Sequence, residues 1–239
     1  MEVARFSTKP SNHLTGEDYA TTLIQTVFRD HDATIVDLKS VLHQIFSIKD
    51  LGILKYFLGI EMATSQKGLF LNQCKFMLDL PREVYMLECK HARTPLDSKL
   101  QLTIDGEYLE SPQLYQRLVG KLIYITIMRP DITHVVSIVS QFMHSPTIAH
   151  TVVVKWILRY LKGSIGHGIL MKNNGHIQII GYIDVDWAGN TLNRKSTTGY
   201  CIFIGGNLVS WKSKKQLVVA RSNAEAEYRT MASTASELI

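Results

Sequence analysis

The residues whose types and spacing could do chemistry lie in the last quarter of the chain. Asp184 and Asp186 stand two apart in an apolar stretch that predicts a strand, so both side chains are expected on one face of a sheet. Glu225 and Glu227 fall in the first turn of a predicted helix. Carboxylates brought together from a strand and a helix suit a divalent metal ion that acts on phosphate esters.

Each of these carboxylates also has a purely structural explanation. Aspartates on a strand can belong to a solvated face, although two like charges side by side repel each other and disfavour this arrangement for stability alone. Ser222 and Glu225 have the spacing of a capping box, and the helix dipole stabilises a carboxylate in the first turn. We therefore assign Glu225 to the helix cap, which leaves Glu227 free to act.

A set of basic residues flanks the carboxylates in sequence. Beside a metal site these side chains would hold phosphate groups, whereas on their own such clusters are typical of a solvated surface. The predicted nucleic-acid-binding residues are Arg194, Lys195, Lys212, Lys214 and Lys215.

The pattern of apolar residues changes near residues 163–168, where we place a domain boundary. Beyond it, short runs separated by Asn-Gly and Gly-Gly-Asn turns predict antiparallel strands, and Ser222 opens the last helix. Before it, helical spacing predicts three helices between Ser111 and Gly163, with Ser111 and Asp131 as two of the N-caps.

The region upstream of these helices is less regular. Helical spacing predicts a helix over residues 35–46. Residues 56–60 and 68–71 predict two strands joined by a turn. A further helix is expected from Gln73, and Pro81 should cut it short.

The composition is that of an ordinary globular protein. Of 239 residues 46% are hydrophobic and 20% charged, and the net charge of +5 favours polyanionic partners only weakly. Three widely spaced cysteines give no zinc spacing and no disulfide framework, which favours a reduced, intracellular setting, cytoplasmic or nuclear. The sequence shows no signal peptide and no run long enough to span a bilayer, so we expect neither secretion nor a membrane partner.

Seven blocks of sequence resemble the Pol polyprotein of copia-type LTR retrotransposons. They follow in the family's order over roughly residues 31–239, and they match the C-terminal part of the reverse transcriptase and the start of the RNase H domain. The blocks read KDLGILKYFLGIEMA, RLVGKLIYITIMRPDI, SQFMHSPT, ILRYLKGS, DVDWAGN, RKSTTGYCIFIGGNLVSWKSKKQ and SNAEAEYRTMA.

The resemblance implies both a fold and an activity. The fold is α+β: a poorly defined segment over residues 1–30, a palm, thumb and connection-like segment over 31–163, and an RNase H-like unit over 168–239. The activity is RNA-directed DNA synthesis and Mg²⁺-dependent cleavage of RNA/DNA hybrids. By motif position Asp184 and Glu227 match catalytic carboxylates that hold metal, and Asp186 belongs to the same motif.

Two departures from the family pattern lead us to expect an inactive copy. Where the family has a Tyr-Val-Asp-Asp hairpin this chain reads Thr-Val-Phe-Arg-Asp over residues 26–30, so we expect no polymerase activity. The family's RNase H domain continues past the position of Ile239 with a strand that carries a third acidic ligand. We therefore expect weak Mg²⁺ binding, a truncated or decayed element, and an unpaired sheet edge at residues 176–187 that invites another chain.

Two other interpretations remain open. The chain could be an RNase H portion that becomes active when a partner chain completes its site. It could also be a non-catalytic module that binds nucleic acid or acts as a scaffold through the helical segment over residues 111–163.

Overall fold

The computed structural model describes residues 2–5, 40, 49–53, 55–96, 106–190 and 193–238. Its architecture is α+β with antiparallel sheets, as predicted. The chain divides into two compact units, residues 1–63 and residues 64–239. The domain boundaries expected from the sequence stay a prediction. The helix expected over residues 35–46 lies outside the described residues, apart from Ser40.

The first unit contains two antiparallel strand pairs. Strand β1 (Glu2–Arg5) pairs with β2 (Lys49–Ile53), and β3 (Tyr56–Phe57) pairs with β4 (Ile60–Ser65). The single strand predicted over residues 56–60 is wrong. A tight turn interrupts it, because Leu58 and Gly59 both have positive φ, 47° and 77°, as hairpin turns of this type require.

The second unit begins with a strand and a helix. Strand β5 (Gly68–Asn72) pairs antiparallel with β6 (Ile169–Met171), and α1 (Cys74–Glu83) follows β5. The expectation that Pro81 ends this helix is wrong, because Pro81 lies inside it. A proline there removes one main-chain hydrogen bond. Pro81 is buried together with Leu80, and the helix ends two residues later, at Glu83.

Three helices form the core of the second unit, as predicted. They are α2 (Gln113–Ile125), α3 (Thr133–Ser140), which follows a 3₁₀ turn at Pro130–Ile132, and α4 (Ile148–Gly163). Within the described residues no helix is both long and apolar enough to cross a bilayer. The helices pack through fully buried apolar side chains, among them Leu122, Ile125, Val139, Val153 and Ile157.

Two of the predicted helix caps differ from the structure. Helix α2 is capped by Pro112, and the Ser111 hydroxyl bonds the Gln113 side chain at 2.5 Å instead of the backbone. Helix α3 has Ile132 at its N-cap without a side-chain cap, so the assignment of Asp131 to that role is wrong. A stronger competitor takes the Asp131 carboxylate, namely the neighbouring guanidinium of Arg129.

Arg129 is 1% exposed and fully engaged. Its guanidinium binds both carboxylate oxygens of Asp131, at 2.9 and 2.7 Å. It also donates to the Ser164 carbonyl at 2.9 Å and to the Ser164 hydroxyl at 2.7 Å, and it lies over the ring of Tyr160. A further contact reaches the sulfur of Met77 in α1. One buried charge therefore joins α1, the 3₁₀ turn and the end of α4.

Strand β7 (Ile179–Asp186), β8 (Thr197–Ile204) and β9 (Asn207–Lys215) form an antiparallel sheet in that order, followed by α5 (Asn223–Ser236). The predicted Gly-Gly-Asn turn is confirmed, since Gly205 and Gly206 have positive φ values of 56° and 76°. Strand β7 stands at one edge of this sheet.

We predict that Arg129→Met lowers the free energy of unfolding by about 3 kcal/mol or more, because it leaves Asp131 and Ser164 without their buried cation. The control is Arg82→Met, which removes an exposed ion pair with Asp79 at 3.6 Å and should cost less than about 1 kcal/mol. Urea unfolding measures both. Equal effects of the two substitutions would contradict the role given to Arg129.

Candidate metal site and nucleic-acid interface

The two faces of the β7–β8–β9 sheet are distinguished by their contacts with α5. Val185 pairs with Thr198 across the β7–β8 ladder, and the Thr198 hydroxyl bonds that of Thr230 in α5 at 2.9 Å. A Cβ built on Gly181 would likewise meet Thr234 of α5 at 4.0 Å. Odd-numbered residues of β7 therefore point to the face that α5 covers, which we call the helix face.

Asp184 and Asp186 lie on the opposite face, which we call the aspartate face. Both are exposed, and they share this face as the spacing predicts. The Asp186 carboxylate lies against the next turn, where a Cβ on Gly189 would come within 1.7 Å of it. The tight turn after β7 thus needs glycine at position 189 as long as the Asp186 carboxylate keeps this position.

The aspartate face of β9 meets the helical core. Asp184 is aligned with Gly199 and then with Ser213, whose hydroxyl lies 3.2 Å from Nδ1 of His134 in α3. Two residues before Ser213 on the same face of β9, the indole N–H of Trp211 donates to the carbonyl of Thr126, at the end of α2, at 2.9 Å. Helices α2 and α3 therefore form a wall on the side of the sheet that carries the aspartates.

The row that contains Asp186 ends in a cation. Asp186 is aligned with Thr197 and then with Lys215, so the two charged residues stand two strands apart, about 10 Å at the backbone. The Lys215 ammonium donates to Oε1 of Gln141 at 2.6 Å. Burial and the neighbouring charge of Lys195 both lower the pKa of Lys215. Two cations therefore lie close together on this side.

The structure divides the three predicted basic residues of β9 between the two faces of the sheet. Arg194 and Lys195 lie in the loop after β7, where Asn190 donates to the Lys195 carbonyl at 3.2 Å and to Gln141, just after α3, at 3.3 Å. Lys212 and Lys214 alternate with Lys215 along β9 and so belong to the helix face. Lys212 forms an ion pair there with Glu237 at 3.3 Å.

Ser222 is the N-cap of α5 as the sequence predicts, and the bonds of Glu225 match the predicted capping box in part. The Glu225 N–H donates to the Ser222 hydroxyl at 3.2 Å, and the Glu225 carboxylate accepts from the Arg221 N–H at 2.7 Å and from the Arg229 guanidinium at 2.8 Å. The return bond of the capping box thus reaches Arg221, one residue before the N-cap. These contacts, first the backbone bond and then Arg229, lower the pKa of Glu225.

Glu227 lies just past the first turn of α5, so its predicted place in that turn is wrong, because the helix already begins at Asn223. It is exposed and accepts a hydrogen bond from the Asn223 amide at 2.7 Å. Because α5 packs on the helix face, Glu227 belongs to a helix on the opposite side of the sheet from Asp184 and Asp186. Within the part of the chain that the structure describes, no three metal-binding side chains are grouped together. The assignment of these carboxylates as catalytic metal ligands stays a prediction.

Three residues of this region carry roles that the sequence does not reveal. His134 and Gln141 reach the sheet from α3, dozens of residues upstream, and no local pattern marks them. His150 has no ligand spacing, yet its Nδ1 accepts from the Thr147 N–H at 2.9 Å at the start of α4. Its ring also stacks on Phe142 at 3.8 Å. The sequence signal that could have revealed this role is the spacing, because His150 stands three residues after Thr147.

Comparisons with known proteins find close relatives. An uncharacterised mitochondrial protein of Arabidopsis thaliana is 45% identical over 197 residues, which cover 82% of this chain and 82% of that protein. The retrovirus-related Pol polyprotein from transposon RE2 of Arabidopsis thaliana is 43% identical over 198 residues, and that from transposon TNT 1-94 of Nicotiana tabacum is 38% identical over 216.

The chain corresponds to a small part of these polyproteins. The matches cover 82% and 86% of this chain but only 14% of the RE2 polyprotein and 16% of the TNT 1-94 polyprotein. No protein-family model and no solved structure matches the chain.

We predict that Glu225→Gln lowers the thermal midpoint at neutral pH, whereas the matched variant Glu227→Gln does not. The pKa of Glu225 is lowered in the fold, so its contribution is present above its ordinary value of 4.5 and is lost as the pH falls through the lowered pKa. Thermal unfolding followed by circular dichroism from pH 7 to pH 2 should show the two midpoints converging in acid. Equal midpoints at neutral pH would refute the capping role.

Proposed function

Because the chain belongs to the family of copia-type retrotransposon Pol polyproteins, we propose that it is the part that links the reverse transcriptase to RNase H and that it binds RNA/DNA hybrids. One observation carries this proposal. The aspartate face carries two exposed carboxylates, one of them in the same cross-strand row as Lys215, and Lys195 lies close enough to Lys215 to lower its pKa. Phosphate backbones bind such cations, and carboxylates hold the metal ions that act on phosphate esters.

Asp184 and Asp186 are the residues that would hold Mg²⁺. Both are exposed carboxylates on one face, and hard oxygen ligands of this kind suit the ion. Bound Mg²⁺ would supply positive charge to a phosphate oxygen. Lys215 and Lys195 would neutralise the neighbouring phosphates of the hybrid. The wall of α2 and α3 would limit the approach of the hybrid to the side of the sheet where β7 lies.

We further propose that this chain does not cleave the hybrid by itself. A site with two metal ions needs several carboxylates around one point. Glu227, the third carboxylate of the predicted set, stands on a helix that covers the opposite face from Asp184. Polymerase activity is likewise not expected, because residues 26–30 lack the paired aspartates of the family motif. Those residues lie outside the described part of the chain.

A second candidate function is an RNase H that another chain completes. The position of β7 at the sheet edge favours it, because a strand added there would lie beside Asp184 and Asp186. Such a strand could bring further carboxylates to the aspartate face.

We predict that Lys215→Ala weakens binding of a labelled RNA/DNA hybrid and lowers the slope of log affinity against log salt by about 1. The matched control is Lys212→Ala on the same strand, whose side chain points to the helix face and pairs with Glu237. Fluorescence anisotropy over a series of salt concentrations measures both variants. The proposed interface is wrong if the Lys212 variant loses as much affinity as the Lys215 variant.

We also predict that the purified chain does not cleave the labelled hybrid in Mg²⁺ or in Mn²⁺ and does not extend a primer, with the Asp184→Asn variant as the matched control. The variant should fold normally, because it removes a charge that Asp186 repels. Cleavage that the variant loses would instead support the completed RNase H. Cleavage that the variant retains would show that Asp184 is not part of the site.

A further inference from the structure

Helix α4 begins with a capping box in which a histidine occupies the place of the usual glutamate or glutamine. The Thr147 hydroxyl accepts from the main-chain N–H of His150, and the His150 side chain accepts from the main-chain N–H of Thr147. This second bond joins the Thr147 nitrogen to Nδ1 of His150 at 2.9 Å. Glutamate or glutamine supplies the acceptor in an ordinary capping box. Histidine supplies an acceptor that a proton can block between about pH 5 and pH 8.

The main-chain N–H of Thr147 determines which tautomer the ring adopts. This group can only donate, so Nδ1 carries a lone pair and the proton of the neutral ring lies on Nε2. The Thr147 hydroxyl lies 3.0 Å from the same nitrogen, but a hydroxyl rotates to donate or to accept and therefore fits either tautomer. A proton added to Nδ1 would set two N–H groups against each other and break this bond of the box.

The surroundings of the ring also disfavour a positive charge. His150 is 0% exposed, and its ring stacks on Phe142 with the centroids 3.8 Å apart and the planes at 18°. Burial destabilises the charged form of histidine. The aromatic contact offsets only part of this cost, because a cation–π interaction is weaker than the hydration that is lost. The imidazolium would therefore lose both its hydrogen bond and its solvation in the closed structure.

The other titratable groups on the surrounding elements are mostly in contact with water. The exception is Tyr115 of α2, whose buried hydroxyl donates to the Val139 carbonyl at 2.7 Å. Water weakens the effect of the remaining charges on a buried ring. On the segment before α2, on α2, on α3 and the loop after it, and on α4 these exposed or half-exposed residues are Glu107, Glu110, Arg117, Lys121, His134, His144 and Lys155.

The start of α4 also holds the segment that precedes α2. Residues 107–109 lie antiparallel to residues 146–148, with a bridge between Tyr108 and Thr147. Two main-chain hydrogen bonds, both of 3.0 Å, flank this bridge. They use the N–H and C=O groups of the residues next to Thr147. The N–H of Thr147 itself therefore points away from residues 107–109 and towards His150, so the bridge and the capping box depend on one backbone conformation.

We propose that His150 is an acid-sensitive cap, and that its protonation opens the start of α4 and releases residues 107–109 while the rest of α4 stays folded. The open form exposes the ring, and an exposed histidine gains its proton near pH 6.5. The open form thus binds more protons than the closed form, so the closed form is stable above about pH 6.5 and loses stability as the pH falls below it. This inference does not depend on whether the chain binds a hybrid.

Amide hydrogen exchange of the full chain, resolved by NMR at about pH 7.5 and about pH 5, tests the proposal. After correction for the intrinsic pH dependence of exchange, the protection of the Thr147 and Leu109 amides should fall about fivefold or more, as the loss of a helix cap predicts. The protection of Ile157, in the middle of α4, should not change. His150→Gln keeps an acceptor that does not titrate, so protection at Thr147 should be equal at the two pH values.

The matched control is His144→Gln, which replaces an exposed histidine of the same loop and should behave as the parent does. Protection of Thr147 that does not change with pH overturns the proposal, and so does a change that His150→Gln retains. An equal loss of protection at Ile157 shows unfolding of the whole helix and contradicts a local opening. The ¹⁵N shifts of the His150 ring in the parent give a test that needs no variant, because a proton on Nδ1 at neutral pH overturns the proposal.

Discussion

The second unit depends on one buried charge, the guanidinium of Arg129. It is enclosed among α1, the 3₁₀ turn and the end of α4, and its partners come from these three parts of the chain. Burial disfavours the charged form of Asp131, but the hydrogen bonds from Arg129 and Tyr160 outweigh it and keep the pKa of that carboxyl below its ordinary value. The Asp131 carboxyl is therefore ionised at neutral pH and forms an ion pair with Arg129 at 2.7 Å.

The position of α3 in turn determines what the C-terminal sheet can do. His134 at its start and Gln141 after its end both touch the sheet, through Ser213 and Lys215. Because α3 occupies the side of β9 that carries Trp211, α5 covers the other side. The aspartates thus lie on the side of the sheet that α3 contacts and that carries Lys215, while Glu227 lies on the helix that packs on the opposite side. The charge distribution of the site follows from this sandwich.

The sequence predicts most elements of the second unit because their signals are local. Three helices, the strands after residue 168 and the Ser222 cap all follow from spacing and turn residues. The errors arise where two local signals compete. Asp131 has the position of a cap but a guanidinium two residues away binds it more strongly, and the run at residues 56–60 is apolar throughout although Leu58 and Gly59 turn.

The candidate site was predictable in its residues but not in its arrangement. Alternation along β7 places Asp184 and Asp186 together, and this is confirmed. Which face α5 would cover could not be known, because β7 carries exposed apolar residues on both faces, such as Tyr182 and Ile183. The contact between Thr198 and Thr230 that settles the question joins residues 32 apart, neither of which is apolar.

The same lack of a dominant apolar face makes β7 the least protected element of the sheet. An edge strand with side chains buried on one face would gain little from a neighbour beyond backbone bonds. Here both faces gain, since Ile179 and Ile183 on one side and Ile180 and Tyr182 on the other remain exposed in the single chain. The aspartates at one end of β7 limit this gain, because like charges directly opposite one another are destabilising. Charge that is suited to holding a cation on the aspartate face therefore also restricts how the edge can be extended.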